Sequence, residues 1–164
     1  MNRPAGFNFI ECMIVLIIIS IVTSFSMSLF RSYMRQNESI VFIHQFVNLL
    51  ENARVSAVMQ HEIVTVCASL DSKKCEGQWE NGVIAFTDVD GSGEFKIGDK
   101  KLSKIGTIEK KLVIHWKRKK NLLQFSPSGN VRFGNGTFIL ENVLNRKKRY
   151  FIVVSMTGRV RLYY

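Results

Sequence analysis

The feature that most constrains this chain is a long apolar run near its N-terminus, at residues 7–30. It contains a single charged residue, Glu11, and basic residues flank it: Arg3 before, Arg31 and Arg35 after. As an α-helix, a segment of this length extends about 36 Å, enough to cross a hydrocarbon core about 30 Å thick. We therefore expect a membrane-spanning helix. A secretory signal peptide is disfavoured, because the run is too long and no small-residue cleavage site follows it.

The start of this run contains a carboxylate, which costs about 2.5–3.5 kcal/mol inside a membrane and so indicates a function. The segment Gly6-Phe7-Asn8-Phe9-Ile10-Glu11 resembles the prepilin signature of type IV pilins and type II secretion pseudopilins. The resemblance implies that a prepilin peptidase cuts between Gly6 and Phe7 and that Phe7 is then N-methylated. It also implies that Glu11 pairs with the Phe7 amine of a neighbouring subunit, which avoids an unpaired carboxylate among packed helices.

The same resemblance implies a location. The chain would sit in the inner membrane by a single span, with its head in the periplasm. It would then join other major and minor pilins in a type IV pilus at the cell surface.

Beyond the apolar run, apolar residues recur at steps of three or four, which predicts an amphipathic helix with one buried face. We expect it to continue the membrane helix to about residue 60. Small hydroxyl residues at 24–28 leave a break there as the alternative. The predicted buried stripe contains Phe42, Phe46, Leu49, Ala53 and Ala57.

From residue 63 onward, short segments rich in β-branched and aromatic residues alternate with turn-forming residues, as in successive strands. A long helix followed by strands predicts an α+β fold whose antiparallel sheet packs on the helix stripe. The predicted organisation is a leader at 1–6, a membrane and fibre-core helix at 7–30, a stalk helix at 31–62 and a head at 63–164. The predicted strands are 63–68, 83–87, 112–116, 122–126, 137–140, 150–154 and 159–163.

Cys67 and Cys75 enclose a short polar loop. Outside the cytoplasm they are expected to form a disulfide that stabilises the fold by about 2–3 kcal/mol. Half of a metal site is the alternative, but no further ligands stand at a suitable spacing. The 88–99 loop has part of the residue pattern of a calcium loop, although Asp99 replaces the usual final Glu and strands flank it. A turn is favoured, calcium binding stays open, and no metal site is predicted.

The sequence contains no recognisable catalytic constellation. Its histidines are scattered, no carboxylates are paired at catalytic spacing, and no phosphate-binding loop is present. We therefore predict a protein that is not an enzyme and that needs no cofactor.

The charge of the chain is divided unequally along its length. The formal net charge is +10, yet residues 1–95 hold 6 basic and 10 acidic residues, and residues 96–164 hold 17 basic and 3 acidic ones. A basic half suggests a polyanionic partner: nucleic acid, an anionic membrane surface or an acidic protein. Two basic runs fall between predicted strands and are expected at hairpin tips. They comprise Lys117, Arg118, Lys119 and Lys120, and Arg146, Lys147, Lys148 and Arg149.

The C-terminal segment carries a third basic element. On a strand, Arg159 and Arg161 point to one face, about 6–7 Å apart, which is of the order of the phosphate spacing along a nucleic-acid strand. Arginine offers a two-donor fork to phosphate, and Tyr163 and Tyr164 are suited to stacking on bases. The alternative is an edge strand whose charges prevent aggregation.

The motifs together resemble the GspH/FimT group of minor pilins and pseudopilins. They include Cys67, Cys75, Trp79, the segment Phe125-Ser-Pro-Ser-Gly129 and the segment Thr157-Gly158-Arg159-Val160-Arg161. The resemblance implies a long helix carrying a sandwich-like head of two sheets. In FimT-like minor pilins of naturally competent bacteria, a C-terminal Gly-Arg-x-Arg element binds DNA, which here implies Gly158, Arg159 and Arg161.

Family members often carry a cysteine after this element, where the present chain has Leu162-Tyr163-Tyr164. The tail is therefore either freer or held by its tyrosines. The leading hypothesis is a minor type IV pilin that binds extracellular DNA through its phosphates, without sequence preference, during natural transformation. The alternative is a structural minor pilin or type II secretion pseudopilin that primes or caps a fibre.

Overall fold

The computed structural model describes residues 8–164 except 72, 109–111, 119 and 144–148, and of residues 25–38 it describes the backbone alone. Gly6, Phe7, Lys119 and residues 146–148, which carry predicted functions, lie outside the described residues. The chain divides into two compact units, one ending at Glu38 and the other comprising Ser39–Tyr164.

One long helix, α1, comprises Phe9–Gln60. In the first unit, the hydroxyls of Thr23 and Ser24 donate to the carbonyl oxygens of Ile19 and Ser20, at 2.8 and 2.7 Å, so these polar groups are satisfied within the helix. The helix has no interruption at 24–28, so the continuous helix is observed rather than the alternative with a break. Within the described residues, no helical stretch combines the length and the apolar character that a membrane crossing requires.

In the second unit, the last turns of α1 bury the predicted stripe. Phe42, Phe46, Leu49, Ala53 and Ala57 are all buried, and Ile43 and Leu50 widen the same face. The helix ends before His61, whose φ of 56° is left-handed, a conformation that commonly terminates helices.

Nine strands form two antiparallel sheets in this unit. The first sheet has the order β3-β2-β1-β5-β6, and the second has the order β4-β7-β8-β9. The α+β, two-sheet fold is therefore as predicted. The strands are β1 Val64–Ala68, β2 Val83–Thr87, β3 Lys101–Ile105, β4 Leu112–Trp116, β5 Leu122–Phe125, β6 Val131–Phe133, β7 Gly136–Asn142, β8 Arg149–Val154 and β9 Val160–Tyr163.

The core joins the helix to both sheets. Phe46 of α1 packs edge-on against Phe138 of β7 with ring centroids 5.0 Å apart, and Trp79 lies 4.9 Å from the same Phe138 ring. Trp79 belongs to a short 3₁₀ helix, Trp79–Asn81, and is completely buried. Val66 and Leu123 of the first sheet contribute to the same cluster. Aromatic burial of this kind is a major stabilising contribution to a head of this size.

The outer face of the first sheet is covered. Ile84 and Phe86 of β2 form a second buried cluster with Cys67, and Cys75 and Phe95 pack on it from the loops. A disulfide joins Cys67 to Cys75, as predicted. Every residue of β1 and β2 is consequently buried, because both faces of these two strands are covered.

Candidate nucleic-acid interface

The C-terminal arginines lie at the edge of the second sheet. β9 pairs with β8 and ends the strand order, so its other side has no partner strand among the described residues. Val160 and Leu162 pack on the core, which turns Arg161 and Tyr163 to the outer face of the sheet. Arg161 and Arg159 are both exposed, and within the described chain neither forms an ion pair. Arg161 makes one long hydrogen bond, 3.5 Å, to the Tyr163 hydroxyl. Both guanidinium groups are therefore accessible to an anionic ligand.

The backbone of Arg159 is held by a tight turn between β8 and β9. The Ser155 amide donates to the Arg159 carbonyl oxygen at 3.0 Å, and the Arg159 amide donates to the Ser155 hydroxyl at 3.1 Å. The Gly158 amide donates to the Ser155 carbonyl oxygen at 3.0 Å. An ordered backbone beneath a free guanidinium lowers the entropy lost when that group binds a ligand.

Gly158 has to be glycine at this turn. Its φ is +75°, and a Cβ there would overlap the carbonyl oxygen of Gly129 and lie 2.8 Å from Nε of Arg54. Arg54, on α1, donates from Nε to that same Gly129 oxygen at 2.9 Å. The Val131 amide donates to the Met156 carbonyl oxygen at 2.8 Å. The structure thus brings together the two glycine-containing motifs of the sequence and ties both to α1.

The first predicted basic run is not a hairpin tip, and that prediction is wrong. β4 and β5, which flank residues 117–121, belong to different sheets, so the segment crosses from one sheet to the other. Arg118 pins this crossing by donating from Nε and an Nη to the Asn135 carbonyl oxygen, at 3.0 and 2.7 Å. Lys117 and Lys120 are exposed. Arg118 therefore has a structural partner, whereas Lys117 and Lys120 face solvent.

The second basic run follows β7 and enters β8, and these strands are antiparallel neighbours, as a hairpin requires. Its described member, Arg149, lies opposite Glu141 and forms an ion pair with it, 2.9 Å between Nε and Oε1. His115 approaches the other carboxylate oxygen at 3.9 Å. Arg149 is thus partly neutralised, unlike Arg159 and Arg161.

The C-terminal tail is held by a tyrosine pair. The ring of Tyr164 packs edge-on against the ring of Tyr150, with centroids 5.8 Å apart, and Tyr150 is buried. Of the two alternatives for the tail, the structure has the one in which tyrosines hold it. Tyr164 contacts Tyr150 by one ring edge and is otherwise 79% exposed, and Tyr163 is 47% exposed with no ring contact among the described residues.

The carboxylate of Asp88 at the start of the 88–99 loop is completely buried and bound by the protein itself. Its Oδ2 accepts hydrogen bonds from the Thr65 hydroxyl at 2.6 Å, the Gly93 amide at 2.8 Å and the Gln124 side-chain amide at 3.0 Å, and its Oδ1 accepts from the Ser92 amide at 3.0 Å. These donors occupy the oxygens that a calcium ion would need. The described residues contain no group of three or more metal-ligating side chains placed to hold an ion.

The remaining carboxylates of this loop also bind neighbouring donors. Asp99 accepts from the Lys96 amide at 2.8 Å, and Asp90 forms an ion pair with the Lys96 ammonium at 2.7 Å. The Lys96 hydrogen bond holds the pKa of the Asp90 carboxyl below its usual value, and Asp90 in turn raises the pKa of Lys96. The loop is thus shaped by its own carboxylates.

Sequence reasoning did not identify Arg54 or the outer face of the second sheet. For Arg54 the available signal was a basic residue adjoining the buried stripe, since it follows Ala53 directly. For the sheet face it was the apolar run in β8, where Phe151 and Val153 point away from the core while Ile152 and Val154 are buried. An uninterrupted apolar run from residue 150 to residue 154 is unusual in an antiparallel strand that has one solvated face.

A long N-terminal helix followed by a two-sheet antiparallel head defines the class of pilin-like proteins. The family model described as Type II transport protein GspH matches residues 43–158, and the chain belongs to this family. It is a minor type IV pilin or pseudopilin of the GspH/FimT kind, as the sequence motifs predicted. Family and fold are those of structural pilin proteins.

Solved structures support the same fold. Two crystal forms of the type IV minor pilin FimU of Pseudomonas aeruginosa match with TM-scores of 0.62 and 0.56, at 21% and 23% identity. They cover 80% and 74% of this chain and 92% and 89% of their own. The minor pseudopilin EpsH of the Vibrio cholerae Type 2 Secretion System matches with a TM-score of 0.52 at 14% identity, covering 77% of this chain and 96% of its own. Among curated protein sequences, none matches this chain significantly.

Proposed function

We propose that this protein is a minor type IV pilin that binds extracellular DNA non-specifically through its basic C-terminal face during DNA uptake. The observation that carries the proposal is the pair of exposed arginines, Arg159 and Arg161, beside an ordered turn and without a carboxylate partner in the described chain. Lys117 at the opposite edge of the same sheet adds a further exposed cation. Residues 119 and 146–148 are proposed to contribute to the same field.

Binding of this kind depends on counterion release. Each phosphate neutralised by a cation makes the fall of log affinity with log salt concentration steeper by about 0.9 for duplex DNA. Contacts to phosphate orient a protein on DNA but carry no sequence information. We therefore expect affinity that falls steeply with salt and varies little with sequence. Several heads along a fibre would add avidity to a modest affinity for each.

The proposal includes the assembly steps that the N-terminal motif implies. A prepilin peptidase cuts after Gly6, Phe7 is methylated, and Glu11 pairs with the Phe7 amine of a neighbouring subunit. Before assembly the apolar run anchors the chain in the inner membrane, and afterwards the head is at the surface of the pilus among other pilins. We propose that the head acts by binding and not by catalysis.

The test is a fluorescence-anisotropy titration of duplex DNA with the full chain in non-ionic detergent, at several salt concentrations. Replacing both arginines, Arg159→Gln with Arg161→Gln, should weaken binding at least about tenfold and reduce the salt slope by about 2, because two phosphate contacts are lost. Unchanged affinity in this double variant would exclude the assigned site.

A matched control removes two charges elsewhere. The control is Lys100→Gln with Lys104→Gln, in which Lys104 lies on β3 and Lys100 directly before it, and both are exposed. β3 is one edge of the first sheet, whereas β6, at the other edge, contacts the turn that precedes β9. The control should lower affinity much less than the arginine variant. Equal losses would indicate that net charge, rather than a site, attracts the DNA.

A structural role is the second candidate, favoured by the family description and by the likeness to EpsH. In that case the protein primes or caps a pilus or a type II secretion pseudopilus without binding DNA. Deletion would then abolish fibre assembly or secretion, and the purified chain would not bind DNA at physiological salt.

A further inference from the structure

The two sheets of the head differ in how their outer faces are covered. On the first sheet, the disulfide loop and Phe95 bury Ile84 and Phe86 completely. On the second sheet, the outward residues are only partly buried by their strand neighbours. The second sheet therefore presents an apolar surface to solvent that the first does not.

The strand register places a line of side chains across this open face. Tyr163 lies opposite Phe151, Phe151 opposite Ile139, and Ile139 opposite His115. We call these four residues the outer row. Within the described chain, the rings of Phe151 and Tyr163 contact no other aromatic ring. At the β4 end the row opens into a groove of about 640 Å³ that is also lined by Gln78, Lys117 and Asn121.

Cations border this row and carboxylates are scarce. Arg161 lies two residues before Tyr163 on β9, and Arg159 lies in the turn directly before this strand. Two carboxylates lie on the described part of the face and its groove. Glu141 is already paired with Arg149, and Glu80, which lines the groove, accepts a hydrogen bond from the Ile114 amide at 3.3 Å. The surface is thus apolar and aromatic in the middle and cationic at its edges.

This combination fits one ligand chemistry particularly well. A single nucleic-acid strand offers flat base faces and a phosphate backbone on the same chain, whereas a duplex hides its base faces in the stack. Aromatic side chains on the open face of a four-stranded sheet can stack two or three bases, and flanking arginines can bind the phosphates.

We infer that the outer face of the second sheet binds single-stranded DNA, with bases stacked on Phe151 and Tyr163 and the backbone held by Arg159 and Arg161. The inference rests on the proposed function and goes beyond it, because it assigns a strand preference and a base-contacting surface. Single-stranded DNA binds more tightly than duplex DNA of equal phosphate number.

The test compares an oligothymidine of about 20 nucleotides with a hairpin duplex of the same phosphate number, by anisotropy with the full chain in non-ionic detergent. The variants Phe151→Leu and Tyr163→Leu keep apolar bulk but remove the ring face. Each should weaken single-strand binding by about tenfold and leave duplex binding within about twofold. The salt slope should stay unchanged, because no phosphate contact is lost.

Phe133→Leu is the matched control, since Phe133 is 43% exposed but belongs to β6 of the first sheet. It should alter neither affinity. Retained duplex binding also reports that the Phe151 and Tyr163 variants are folded.

Other outcomes would overturn the inference. If the ring variants bind both forms of DNA as the wild type does, the arginines alone hold the DNA, and the proposed function survives without this site. If those variants retain DNA binding but no longer enter the fibre, the face contacts another pilin instead. If the wild type binds neither form, the proposed function fails and this inference fails with it.

Discussion

Gly158 lies so close to the backbone carbonyl oxygen of Gly129 that no side chain can be added to it. The two residues belong to different turns, and Arg54 of α1 contacts both. The position of the C-terminal arginines therefore depends on a three-way contact between a helix and two loops, and this contact can be tested directly.

Replacing Gly158 with alanine should destabilise the head. The left-handed φ alone costs about 1–2 kcal/mol for a residue with a Cβ, and the overlap with the Gly129 oxygen adds to this. Chemical denaturation of the full chain in detergent measures the loss. Gly106→Ala is the control, because Gly106 has open space around it and should tolerate a methyl group. Equal stability of the two variants would contradict the close contact.

Arg54→Met should remove the hydrogen bond to Gly129 while keeping most of the aliphatic packing. We expect the free energy of unfolding to fall by about 1–2 kcal/mol, because a carbonyl acceptor loses its charged donor. The control is Arg132→Met on β6, an exposed residue whose replacement should change stability by less than about 0.5 kcal/mol. A neutral Arg54 variant would show that the turn is held without this bond.

Reduction of the disulfide between Cys67 and Cys75 should lower the free energy of unfolding by about 2–3 kcal/mol, as expected for a loop of this size. Urea titrations with and without dithiothreitol measure the difference. A Cys67→Ala, Cys75→Ala variant should have a lower stability that dithiothreitol does not change. If the reductant affected the wild type and this variant equally, the effect would have to come from elsewhere.

The ion pair between Asp90 and Lys96 predicts a pH dependence whose sign follows from the pKa shifts. The pKa of Asp90 is lowered in the folded state by the Lys96 hydrogen bond, so its contribution is present above about pH 4 and is lost at lower pH. The pKa of Lys96 is raised by Asp90, so its contribution is present below about pH 10 and is lost at higher pH.

Thermal melting of the wild type and of Asp90→Asn at a series of pH values tests this. The wild type should melt at a slightly higher temperature between about pH 5 and 9, and the difference should shrink at both extremes. The difference is expected to be small because both groups are exposed. Glu76→Gln, which removes an exposed carboxylate that forms no ion pair among the described residues, should not reproduce this profile. A difference independent of pH would count against the pair.

Much of the fold could be predicted because its signals are local. The stripe from Phe42 to Ala57 repeats with the helical period, and the central strands are rich in β-branched and aromatic residues. β3 and β6 were not predicted. β3 has lysines at two of its five positions, and it is held as an edge strand by pairing with β2. A strand that owes its conformation to one neighbour has a weak local signal.

The candidate site could be predicted only in part. The motif containing Arg159 and Arg161 is visible in the sequence, and the structure places both on an accessible edge. The run at 117–120 looked equally exposed, yet Arg118 is bound to Asn135, a contact between residues far apart in the chain. Nearness in sequence suggested that β4 and β5 would pair, whereas β4 pairs with β7 and β5 pairs with β1 and β6.

By itself, the sequence determined the pilin-like class, the amphipathic helix, most strands, the disulfide partners and the basic C-terminal element, because each depends on residues close together in the chain or on a short motif. The tertiary structure alone decided which strands are neighbours, and therefore which sheet face is covered and which is open. The sequence of residues 150–154 predicts the same apolar strand whether its outer face is covered or open. Only the long-range pairing sets Phe151 beside Tyr163 on one sheet face, with Phe151 half-buried and Tyr163 exposed, and this face is the one proposed to bind DNA.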